Sequence, residues 1–169
     1  MYELKLLTRE AVPDALKMAE RYRLLNEPVE AESICQDILS VDANNQEALI
    51  TLLLALTDQF DSHMNQTYHR AQEVLERLGD RFCQAYYQGI IFERRAKVYI
   101  RRDEPGSGPM AHEWLVKAMA AYNEALTHCS PGNQDAILRW NTCARIINGT
   151  PHVKPTDDDR SPEMLDSYE

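Results

Sequence analysis

The sequence predicts an all-α protein, a helical-hairpin solenoid of about seven antiparallel helices, and three observations carry that prediction. Apolar residues recur at spacings of three and four in every patterned segment, and none alternates as a half-buried strand requires. Turn and capping residues divide the chain into pieces of ordinary helix length. Only six glycines and eight prolines occur in 169 residues, and the prolines gather at segment ends and near the C-terminus. Apolar residues make up 44% and charged residues 27%, the balance of a globular chain with one core.

The first helix runs from Pro13, with Ala15, Met18, Ala19, Tyr22 and Leu25 as its inward face. Asn26-Glu27-Pro28 breaks it, and Pro28 suits the first turn of a new helix because its missing N–H costs nothing there. The second helix extends to about Val41 and turns Ala31, Ile34, Cys35, Ile38 and Leu39 inward. Asp42-Ala43-Asn44-Asn45 is turn chemistry, and Asn45 can cap the third helix, lined by Leu49, Leu52, Leu53 and Leu56. Ala71, Val74, Leu75 and Leu78 line a fourth, which Gly79 closes. A fifth, roughly 81–100, carries Ala85, Tyr86, Gly89, Phe92 and Ala96. Pro105-Gly106-Ser107-Gly108-Pro109 reads as a loop. The sixth helix, 110–128, carries Leu115, Ala118, Met119, Tyr122, Ala125 and Leu126; the seventh, 134–147, carries Ala136, Ile137, Trp140, Cys143 and Ile147.

Successive hairpins invite a test for a repeat. Met18-Ala19, Tyr22, Ala31, Ile38-Leu39 and the Asp42–Asn45 turn resemble one complete tetratricopeptide repeat. A shift by that family's 34 residues carries Ala15, Ala19 and Tyr22 onto Leu49, Leu53 and Leu56. Residues 85–92 resemble a family A helix, with Gly89 admitting a close B helix; Ala118, Tyr122, Ala125-Leu126 and 130–133 resemble that B helix and its exit turn. The spacings between Ala31, Ala71 and Ala118 are 40 and 47 residues, so additions fall near 61–66 and 99–109. The resemblance implies a domain over 1–149, with repeats near 12–45, 46–80 and 81–132 and a capping helix at 133–147. Residues 150–169, with six acids against two bases and few apolar side chains, read as a disordered acidic tail.

In this family A helices line the concave face of a right-handed superhelix. The resemblance therefore implies a partner-binding groove made of Leu16, Lys17, Glu20 and Arg23, then Glu47, Ile50, Thr51 and Leu54. Tyr86, Tyr87, Ile90, Glu93 and Arg94 continue it, and the seventh helix adds Ile137, Asn141 and Arg145. That strip has aromatic centres and charged rims. Family members that hold a partner's C-terminal carboxylate use Lys, Asn and Arg on successive A helices. The matching positions here, Leu16, Glu20, Thr51, Cys83 and Tyr87, supply no positive charge, so recognition is expected to rest on apolar and aromatic burial. A basic run, Arg94, Arg95, Lys97, Arg101 and Arg102, reads as a solvated helix end whose cations complement the helix dipole, in preference to a patch for an acidic partner segment or a phosphorylated group.

Other function classes find little support. Eighteen basic against 27 acidic side chains give a net charge of −9, which argues against a nucleic-acid partner. The longest apolar run, Leu52 to Leu56, is too short to span a bilayer, so no membrane insertion is expected. Without a recognisable signal peptide, and with Cys35, Cys83, Cys129 and Cys143 scattered, the expectation is a cytoplasmic protein with reduced thiols. No His/Cys spacing supports a metal site and no nucleophile–base pair is evident, so neither cofactor nor catalysis is expected. The leading expectation is a non-catalytic protein–protein interaction module, an adaptor, scaffold or chaperone-like protein. Its partner would be another protein or peptide. The alternative is a structural subunit that binds itself through its solenoid ends, and an enzyme comes third.

Overall fold

The computed structural model describes residues 1–156. A single 3-10 turn precedes seven α-helices in this region: α1 Val12–Leu24, α2 Pro28–Val41, α3 Gln46–Asp58, α4 Phe60–Glu76, α5 Arg81–Arg102, α6 Ser107–Thr127 and α7 Asp135–Gly149. There is no strand among the described residues, and each helix packs on the next.

Local chemistry sets the boundaries. Asn26 adopts a left-handed conformation at φ 60°, and the Glu27 N–H donates to the Tyr22 carbonyl at 2.9 Å, ending α1 in a Schellman turn. Pro28 then opens α2. The Asn45 side chain accepts from the Ala48 N–H at 2.9 Å, as its position predicts, and Asp80 does the same for the Cys83 N–H at 2.8 Å.

The core is a single-file arrangement of small and branched residues. Ala19, Cys35, Leu49, Leu53, Leu56, Phe60 and Ala71 form one buried cluster, and Ala85, Leu115, Ala118, Tyr122, Ala125 and Cys143 a second. The close approach expected at Gly89 is present: a Cβ there would lie 2.4 Å from the Tyr122 ring. Ala31, Ala71 and Ala118, on α2, α4 and α6, are all fully buried.

Several boundaries and faces differ from expectation. Met18 is 53% exposed and Leu25 is also exposed, because α1 is packed only by α2, α3 and the short turn before it. The six additional residues near 61–66 form no loop; they extend α4, which bends at His63 (φ −140°, ψ 41°), where the Thr67 hydroxyl donates to the His63 carbonyl at 2.8 Å. Only Asp103 to Gly106 separates α5 from α6. Pro109 falls at the third helical position, where it has no intrahelical N–H bond to lose.

The C-terminal segment also departs from its reading at its start. Val153 is 2% exposed within the second cluster, and a Cβ on Gly108 would lie 2.1 Å from the His152 carbonyl oxygen. Glycine at 108 thus makes room for the chain leaving α7. Val153 anchors the start of the segment, while residues 151, 152 and 154–156 are exposed; the rest of the predicted tail lies outside the described residues.

Candidate functional site

Helix α3 packs on both α1 and α5 as well as on its sequence neighbours, so α1, α3 and α5 lie side by side in a row. Most of the residues expected to line a groove fall on or beside it, with unequal access. Leu16 is half-buried and Lys17 exposed; with Glu20 and Glu47 they border a shallow hollow between α1 and the start of α3. Ile50 and Leu54 are half-buried against the core clusters. Tyr86 stacks on Phe82 at 5.5 Å and meets Tyr87 edge-on at 5.2 Å, with both tyrosines half-buried. Burial pushes the Tyr87 hydroxyl up to about 12. Ile137 sits at the exposed edge of α7, Asn141 is half-buried and Arg145 exposed.

Three residues assigned to the open groove are core instead. Ile90 is only 6% exposed, Thr51 is buried, and Glu93 is fully buried. Ile90 points into the second cluster beneath α6, because a 22-residue helix packed on α6 along much of its length keeps a wider face covered. The apolar strip is therefore narrower than the sequence implies.

In its place lies a polar cleft of about 380 Å³, bordered by Thr57, Asp58, Asp61, Arg94, Lys97, Arg101 and Arg139. Asp58, the last residue of α3, accepts from two arginines: Arg23 Nε of α1 at 2.8 Å and Arg94 Nη1 of α5. Arg94 also donates to the Thr57 hydroxyl at 2.8 Å. Glu93, the residue before Arg94 on α5, accepts from Lys97 Nζ at 2.6 Å and from Arg139 Nε and Nη2 at 3.0 and 2.7 Å. The Tyr122 hydroxyl donates to the same carboxylate at 2.7 Å. Four hydrogen bonds thus hold a carboxylate that would be prohibitively costly to bury alone. Burial, followed by the Glu93 charge, pushes the Tyr122 hydroxyl far above its ordinary value, so it stays a donor. Burial disfavours the Arg139 charge, but Glu93 offsets this and the guanidinium pKa ends above its usual value. At the mouth of the cleft, Arg101 grips Asp61 through two bonds of 2.8 Å.

The basic run at 94–102 is a solvated helix end only at Arg101 and Arg102, both exposed. Arg94, Lys97 and Arg101 are ion-paired in the cleft. Arg95 points the other way and lies between the Tyr68 and Trp114 rings, 4.3 Å from each centroid. One signal for the buried charge was visible in the sequence. Glu93 continues the inward stripe of Ala85, Gly89 and Ala96, where a charge has no place unless paired. Nothing local could have foretold Arg139, which comes from 46 residues away.

Compared with models of protein families, with curated proteins and with solved structures, this chain matches none. Among the described residues, no three His, Cys, Asp or Glu side chains converge as metal ligands, and no helix is long and apolar enough to cross a membrane. Burial raises the Cys35 and Cys143 thiols to about 12 and also lifts Cys83, so these three thiols are held protonated near neutral pH.

Proposed function

We propose that this protein is a non-catalytic interaction module, a tetratricopeptide-like stack of hairpins that holds a segment of another protein on the α1–α3–α5 face. The observation that carries this reading is the contact of α1 with α3 and of α3 with α5, which sets alternate helices side by side. Such a face offers half-buried rings at Tyr86 and Tyr87, fixed by stacking and therefore cheap in rotamer entropy on binding.

The test begins with affinity capture from native lysate and continues with the recovered partner. Tyr87→Ala should weaken that partner by about ten-fold or more, about 1–3 kcal/mol, while far-ultraviolet circular dichroism stays helical. A partner that binds Tyr86→Ala, Tyr87→Ala and Leu54→Ala as tightly as the parent chain overturns the reading.

A second reading, self-association through the ends of the stack, has its own observation. Leu24 is 88% exposed, and Leu25 and Val29 beside it are exposed too, forming an apolar corner at the α1–α2 turn. A mass by light scattering that rises with concentration, and stops rising in Leu24→Glu, would favour it.

A further inference from the structure

We propose that the polar cleft between α3, α4, α5 and α7 is a binding site for an acidic peptide segment of a partner protein, one presenting two carboxylates about 5–7 Å apart. This inference rests on the reading of the neighbouring face as a partner-binding surface and names the chemistry that the face selects.

The charges of the cleft do not balance. Asp58 pairs with both Arg23 and Arg94, and Glu93 with both Lys97 and Arg139, whereas Asp61 pairs with Arg101 alone. Among the described residues, five cations pair with three carboxylates at the cleft, Arg23 reaching Asp58 from outside its lining, a local excess of two on a chain whose net charge is −9. The excess is divided in space: one positive charge stands at the Asp58 group and one at the Glu93 group. Arg94 and Lys97 are three residues apart on α5, so these centres are one helical turn apart. Two singly charged groups at that spacing match two carboxylates better than one compact dianion.

The donors are also preorganised. Lys97 and Arg139 are aimed by a fully buried carboxylate, and Arg94 by Asp58 and the Thr57 hydroxyl. Among the described residues, Nη1 of Arg139 and Nη2 of Arg94 have no hydrogen-bond partner. The cations of the two excess centres are only about a fifth to a third exposed, which weakens solvent screening of a bound anion. Among the described residues no aromatic ring borders the cleft to stack a base, so the geometry points to a peptide and not to a nucleic acid.

The probe is a fluorescein-labelled ten-residue peptide with aspartate at every second position among serine and glycine, titrated into the full chain by anisotropy. The matched control carries asparagine at those positions. Saturable binding is expected, weakening with added salt, with the asparagine peptide about ten-fold weaker or more. Arg94→Gln and Lys97→Gln should each weaken the aspartate peptide about five-fold, while Arg81→Gln, an exposed position at the opposite end of α5 and outside the cleft, should stay within about two-fold. Lys97→Gln leaves Glu93 bonded to Arg139 and Tyr122; should it nevertheless unfold, Arg94→Gln decides the matter by itself. Equal binding of both peptides, or equal losses in all three variants, overturns the inference, the latter by revealing unspecific attraction. Its failure is distinguishable from that of the wider reading. A captured partner that responds to Tyr87→Ala but to neither Arg94→Gln nor Lys97→Gln keeps the face and removes the acidic ligand. Aspartate-peptide binding that is lost in Arg94→Gln, with no partner sensitive to Tyr87→Ala, does the reverse.

Discussion

The two halves of the molecule solve the same packing problem with different materials. Helices α1 to α4 close on aliphatic side chains: Leu49, Leu53 and Leu56 from α3 meet Cys35, Ala71 and Leu75, and no charge is fully buried among them. Helices α5 to α7 close on alanines around Tyr122 and contain Glu93, a fully buried carboxylate tied to three helices. The first half is held by surface removed from water, which is non-directional. The second adds a directional network that fixes how α7 sits on α5. The difference teaches where each half is fragile. An aliphatic core loses stability in proportion to what is removed, whereas a charge network fails when a single member leaves.

The sharpest way to break the comparison is to remove one residue from each half. Glu93→Ala strands Arg139, Lys97 and the Tyr122 hydroxyl around an empty site and should cost about 3–5 kcal/mol in urea unfolding. Leu53→Ala, its counterpart in the dry half, should cost about 2–5 kcal/mol through lost burial and cavity formation. The diagnostic in the charged half is a further variant. Arg139→Met and Tyr122→Phe alongside Glu93→Leu should recover part of the first loss, because only Lys97, a third exposed, then lacks its partner. No recovery would mean that the network contributes shape and not charge.

Gly89→Ala comes next in size. Its Cβ would overlap the Tyr122 ring, so α5 and α6 must separate or the ring must swing away from Glu93. Overpacking of this kind costs about 1–3 kcal/mol. Thermal unfolding monitored by tyrosine absorbance would show both the lower midpoint and the altered ring environment. An unchanged midpoint would show that the close approach is dispensable.

The smallest effect vanishes at neutral pH. Cys35 in the first half, and Cys143 and Tyr87 in the second, have folded-state values raised to about 12 by burial. A group raised in the folded state contributes no loss below its unfolded value. The unfolded chain then releases its proton first, and stability falls as pH rises towards the folded value. Urea midpoints should therefore be flat from pH 7 to about 8.5 and decline between about pH 9 and 12. Cys35→Ala should flatten only part of that decline, since the second half carries the tyrosines as well. A midpoint independent of pH over this range would contradict the burial of all three groups.

Helix content, order and most boundaries follow from the sequence alone, because capping and apolar periodicity act within a few residues. Asn45, Pro28, Gly89 and the alanines at 31, 71 and 118 each have a local reason for their place. Where the sequence misleads, a distant element decides. Met18 follows the inward pattern yet stays exposed, since among the described residues the main packing of α1 is against α2 and α3. Ile90 sits on the face expected to be open, but α6 and α7 cover it. Val153 looks like part of a polar tail, and the notch left by Gly108 takes the chain beside it into the core. The site divides in the same way. Tyr86 and Tyr87 can be proposed from helical phase, whereas the cleft requires Asp58, Arg94, Glu93 and Arg139, joined across 36 and 46 residues of chain. Periodicity tells each helix which side is apolar. Only the packing of all seven decides which charges must meet, because a buried charge finds its partner through space and not along the chain.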